Sequence, residues 1–109
     1  LFRSASRTKM RQALIAYLQR KRFLAPGTRV DANAVFAAVT SLLASSPARL
    51  VLVNLEDLWG ETQSQNVPST QNERPNWRRR MRVSLEQLEK LSEAAELLRA
   101  VEKHRRLRR

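Results

Sequence analysis

Residues 49–81 read RLVLVNLEDLWGETQSQNVPSTQNERPNWRRRM, and their reading decides the fold. Four consecutive branched or leucine side chains, Leu50, Val51, Leu52 and Val53, meet a polar cluster of Asn54, Glu56 and Asp57. A half-exposed strand alternates apolar and polar residues, whereas an uninterrupted run indicates burial on both faces. The run therefore predicts a β-strand over about 49–55. A long polar loop follows over about 58–77, with Pro68 and Pro75 as its stiff points. An apolar strand that delivers acids and amides into a long loop is how a parallel α/β sheet presents a working surface at the carboxyl ends of its strands. The expected class is α/β, mostly helical, with this one clear strand.

The flanks read as helices. Met10, Ala13, Leu14, Tyr17 and Leu18 recur at three- and four-residue spacing, predicting a helix over about 4–24 that Pro26-Gly27 stops. Its apolar stripe fits packing on a neighbouring helix or sheet, and a membrane surface is the alternative. Asp31 is a good N-cap for a second helix over about 32–44, whose apolar face is Val35, Phe36, Val39, Leu42 and Leu43. Ser84 and Gln87 form a capping box before a third helix over about 84–107. Leu85, Leu88, Leu91, Ala95, Leu98 and Val101 trace its face. Lys103 to Arg109 place cations at its C-terminus, where the helix dipole favours them. A single strand is not stable alone, because its backbone donors and acceptors need partner strands. No second strand is visible in this sequence, so either partner strands come from elsewhere or the segment is not a strand in isolation.

Composition narrows the chemistry. The 109 residues suit one small domain with a modest core, and the start at Leu1 in charged sequence suggests an excised piece or an incomplete reading frame, with a processed or recombinant start giving the same look. Cysteine is absent and His104 is the single histidine, so disulfides, thiolate or histidine metal sites and Ser-His-Asp chemistry are excluded from this chain alone. No apolar run reaches the roughly 18 residues of a membrane span. A net charge of +11 invites a reading as a small basic helical nucleic-acid-binding module. That alternative rests on charge alone, since no basic helix carries a recognition motif and the excess sits largely near the chain ends.

The central stretch limits acid chemistry too. Retaining glycoside chemistry needs two carboxyl groups about 5–5.5 Å apart across one bond. Glu56 and Asp57 are neighbours, and on a strand they would point to opposite faces, so they are not that pair. Glu61 or Glu73 could join one of them, but no spacing requires it. Glu56 and Asp57 suit a supporting role at the strand end. Gln65, Asn66, Asn76 and Trp77 offer amide donors and acceptors beside a flat apolar ring, the mixture that sugars ask for. An internally hydrogen-bonded loop anchored by Trp77 is the competing reading. Arg78, Arg79 and Arg80 could grip a phosphate, or one of them could pair with a nearby acid while the others stay solvated.

Five linked features now stand in order: the Asn-Leu-Glu-Asp-Leu segment from Asn54, Gly60-Glu61-Thr62, Asn66-Val67-Pro68, Glu73 to Trp77, and the arginine triplet. Together they resemble the C-terminal signature of amylomaltases, the 4-alpha-glucanotransferases of glycoside hydrolase family 77. The resemblance is densest from Ser46 to Leu88. It implies the C-terminal portion of a (β/α)8 TIM barrel, with 1–109 one fragment of a single catalytic barrel domain, the loop at about 58–77 on the active-site side, and the remainder of the barrel as partner. It also implies a cytoplasmic enzyme, acting without metal or organic cofactor. Such an enzyme moves glucan segments between malto-oligosaccharides through a covalent glycosyl-enzyme. The family's catalytic carboxylates match no position here, so the chain alone is expected to be inactive. Asn66 matches the family's sugar-contacting asparagine on the acceptor side, and Trp77 joins it as a substrate-binding residue. Asp57 and Glu56 match supporting strand-end acids. The family usually continues Asn-x-Pro with glycine, where this chain has Ser69. Glycine there would permit positive φ at the second corner of a turn, a region serine enters only at a cost.

Overall fold

The computed structural model describes residues 2–27 and 30–107. Its regular elements are α1 (Phe2–Arg20), α2 (Ala32–Ser45), a 3-10 turn (Leu55–Trp59), α3 (Leu85–Leu88) and α4 (Ser92–Arg106). Among the described residues there is no strand and no sheet. Arg108 and Arg109 of the basic tail lie outside the described residues.

The expected α/β class, with a β-strand over 49–55 as part of a (β/α)8 TIM barrel, is therefore overturned. Residues 50–54 form irregular chain, and Leu55 already opens the 3-10 turn. A strand is held by a ladder to its neighbours, and the described residues of this chain supply none. The doubly buried reading fails side chain by side chain. Leu50 is 74% and Leu52 82% exposed, while Val51 and Val53 are half-buried. An apolar run reports hydrophobicity, not which of its faces finds cover. Glu56 and Asp57 thus sit on a 3-10 turn rather than at a strand end.

The chain divides into two compact units, residues 1–51 with 97–109, and residues 52–96. In the first, Leu18, Leu24 and Ala38 form the buried centre, with Ile15, Phe23, Val35, Val39 and Leu42 packed against it. The Asp31 carboxylate accepts from the Ala34 amide at 2.8 Å and starts α2, a cap contributing about 1 kcal/mol. The end of α1 is set by the backbone, ahead of Pro26. Arg22 takes φ +63, the Phe23 amide donates to Leu18 O and the Arg22 amide to Gln19 O. This is a Schellman ending, with Phe23 and Leu18 supplying its hydrophobic contact. Met10, Leu14 and Tyr17 stay exposed, and Arg20 and Lys21 lie over the Tyr17 ring. The Arg105 guanidinium donates to Ala48 O at 2.6 Å and Arg49 O at 2.8 Å. The Phe23 and His104 rings meet at 5.8 Å. No described helix is long and apolar enough to cross a membrane.

In the second unit, Ser84 accepts from the Gln87 amide while Gln87 accepts from the Ser84 amide, a reciprocal box that opens α3. That helix closes after one turn, and Ser92 begins α4, so the apolar period over 84–107 is carried by two helices.

Candidate functional site

The second unit contains an open cleft of about 850 Å³, within the size range of small-ligand sites. Its floor is built from the 3-10 turn. The Asn54 side-chain amide donates to Asp57 Oδ1 at 3.2 Å, and Gly60 leaves the turn at φ +67, a left-handed position suited to glycine. Immediately beyond, Glu61 Oε1 accepts from the Thr62 and Gln63 amides, both at 2.9 Å.

One guanidinium ties the floor together. Arg79 reaches Glu56 Oε1 at 2.7 Å and Glu61 Oε2 at 3.1 Å, and also donates to Gln63 O at 2.7 Å. The Gln65 side-chain amide donates to the same Glu56 oxygen at 2.9 Å. Of the arginine triplet, Arg79 is the one that pairs with acids, while Arg78 and Arg80 are exposed. The Gln63 amide bond above all, then the Thr62 amide and the Arg79 and Arg82 charges, hold the Glu61 carboxyl below its ordinary value, against the opposing effect of partial burial. Two carboxylates clamped by one arginine are acceptors in a scaffold, and neither is placed as a free acid or base.

Above the floor, residues 65–79 form a pinched loop. The Trp77 amide donates to Gln65 O at 2.9 Å, and Gln65 Nε2 also donates to Arg79 O at 3.2 Å. Asn76 Oδ1 accepts from the Val67 amide at 3.0 Å, and its Nδ2 donates to Thr70 O at 3.0 Å and Thr70 Oγ1 at 3.1 Å. Arg74 donates to Ser64 O at 3.2 Å. Within the loop, the Thr70 amide closes a turn onto Val67 O at 3.2 Å, with Pro68 at the first corner and Ser69 at φ +66 at the second. That is a type II arrangement, in which glycine is the favoured second-corner residue.

The sequence-derived site residues are all in this unit, with different fates. Asn66 lines the cleft and is exposed. Trp77 lines it too, 74% exposed, at φ +59. Glu56 lines the floor but is occupied by Arg79 and Gln65, and Asp57 lines it bonded to Asn54. Gln65 and Asn76 serve the loop itself, while Trp77 does not anchor that loop in a core. The sequence offered the pairing of one arginine of the triplet with a nearby acid, but not which arginine or which acids; Glu61 and Glu56 stand 18 and 23 residues from Arg79. Among the described residues no group of acids and histidine could hold a metal ion.

Comparison with known proteins bears on this unit and its neighbour together. The glycoside hydrolase 77 profile, described as 4-alpha-glucanotransferase, matches residues 2–86. A Mycobacterium tuberculosis protein named 4-alpha-glucanotransferase is 40% identical over 68 residues, covering 62% of this chain and 9% of that protein. A Haemophilus influenzae protein of the same name is 38% identical over 73 residues, covering 62% of this chain and 10% of its own length. The chain thus spans about a tenth of the curated relatives it matches. No solved structure matches it.

Proposed function

This chain belongs to the 4-alpha-glucanotransferase family, and from that premise we propose that it is the C-terminal part of an enzyme transferring alpha-1,4-glucan segments between malto-oligosaccharides. Its own contribution is a set of acceptor-side sugar contacts. The observation that supports this reading is the cleft wall, where the exposed Asn66 amide stands with the exposed Trp77 indole. An amide offers a donor and an acceptor to neighbouring hydroxyls, and an indole face covers the C–H face of a pyranose.

The same geometry supports inactivity of the chain by itself. Retaining transfer needs one carboxylate free to attack and another free to pass a proton. Glu56 and Glu61 are both held by Arg79, and Asp57 is bonded to Asn54. The reacting acids then belong to the rest of the enzyme, and Glu56 and Asp57 support the cleft floor. The substrate class, the retaining course and a cytoplasmic setting all enter through the family and are parts of this proposal.

The experiment is an assay on maltotriose, following release of glucose together with longer chains. The 109-residue chain should show none, and a parent enzyme carrying this segment should show both. In the parent, Asn66→Ala should raise the acceptor concentration needed for half-maximal rate by about tenfold, the scale of one lost hydrogen bond to a sugar hydroxyl. Unchanged acceptor kinetics would take Asn66 out of the site.

A further inference from the structure

Trp77 carries two costs that its surroundings do not repay. Its backbone sits at φ +59, a left-handed state that lowers the population of a bulky residue by a factor of roughly five to thirty. The residue is 74% exposed, so no core packing compensates. Backbone outliers of this kind persist only where neighbouring structure enforces them, and they concentrate where a side chain must be presented.

The enforcing residue is next to it. Asn76 spans the neck of the loop, accepting from the Val67 amide and donating to both Thr70 O and Thr70 Oγ1. With those bonds made, the chain direction at residue 76 is fixed relative to the Val67–Thr70 turn. The Trp77 amide then falls on Gln65 O at 2.9 Å, and Gln65 Nε2 holds Arg79 O at 3.2 Å, so the left-handed φ of Trp77 lies between two points both fixed on Gln65.

We propose that Asn76 is a positioning residue. It clamps the loop neck so that Trp77 is held in its strained backbone, with its indole on the cleft as a platform for the apolar face of a glucose ring. The ligand half of this inference rests on the glucan reading given above. The clamp half rests on the loop geometry alone. Asn76 touches no ligand in this scheme. It acts through Trp77, and its side-chain bonds are all within the loop.

The test uses the whole chain, with maltoheptaose as probe. Asn76→Ala should speed hydrogen exchange of the Val67 and Trp77 amides at least tenfold, and should shrink the near-ultraviolet circular dichroism of the tryptophans. It should weaken maltoheptaose binding, measured by calorimetry, by about tenfold. Trp77→Gly should act with opposite signs, raising the thermal midpoint by relieving the backbone while cutting affinity at least tenfold. Trp77→Tyr should keep most of the affinity, because it keeps a ring. Unchanged amide exchange and dichroism in Asn76→Ala would overturn the clamp. Equal maltoheptaose affinity in Trp77→Gly and wild type would overturn the platform. No maltoheptaose affinity in the wild type would sink the glucan reading and the platform with it, while the exchange data would still decide the clamp.

Discussion

Replacing Ser69 by glycine isolates one backbone angle from everything else in the loop. Ser69 stands at φ +66 and is exposed, so its hydroxymethyl group contributes no packing. Left-handed φ costs a residue with a Cβ about 1–2 kcal/mol. Glycine removes that cost but leaves a freer unfolded chain, worth about 0.5–1 kcal/mol in the other direction. The difference favours Ser69→Gly by about 0.5–1 kcal/mol. The closing bond from the Thr70 amide to Val67 O reports on it directly. Exchange protection of that amide should rise by a factor of about 2–5, and the thermal midpoint should rise by a few degrees. Ser69→Ala is the control, since it keeps the Cβ and should stay within about 0.5 kcal/mol of wild type. A Ser69→Gly chain no more stable than Ser69→Ala would refute the reasoning, because the strain would then not reside at this angle.

Two further outcomes follow from the same physics. Arg22→Gly, at the left-handed position that ends α1, should stabilise by about 0.5 kcal/mol, less than Ser69→Gly because it also removes a cation from a helix C-terminus; a loss in urea denaturation would contradict the Schellman assignment. Glu61 is held below its ordinary carboxyl value of 4.5 in the folded chain, so the stability it gives is complete above that value and is lost as pH falls through the lower folded value. Glu61→Gln should therefore be less stable than wild type at neutral pH and should show a flatter decline in its urea midpoint below about pH 4.5; parallel curves would show that the amide and arginine contacts do not favour the ionised form.

Where a structural feature depends on residues a few positions apart, this sequence announced it. Asp31 and the Ser84–Gln87 box are legible because a cap is made within one helical turn, from a side chain to an amide three residues on. The Val67–Thr70 turn is equally local, but the sequence hinted at it only through the resemblance, which places glycine at its second corner. Pro68 fixes one corner, and Ser69 takes positive φ at the other. Sugar-suited chemistry in residues 65–77 was also visible as composition, and family membership was visible as five motifs in order. What the residues could not say is which amides would be spent inside the loop. Gln65 and Asn76 are, and Asn66 and Trp77 remain on the cleft.

The misread run over 50–53 and the choice of Arg79 with Glu56 and Glu61 share one cause. A local pattern records what a segment favours, whereas a strand or a buried ion pair exists only if distant chain arrives at the right place. Alternate exposure of Leu50 and Leu52 against Val51 and Val53 is a fact about cover, and cover is supplied by the rest of the fold. Arg79 could have met any of several acids or none. Its meeting with Glu56 and Glu61 depends on a loop pinched at residues 65 and 77, which brings chain segments about twenty residues apart within hydrogen-bond reach. The sequence by itself determined the caps and the family. Only tertiary structure decided that no strand forms among the described residues, and which polar side chains remain exposed on the cleft, because both are set by contacts far apart along the chain.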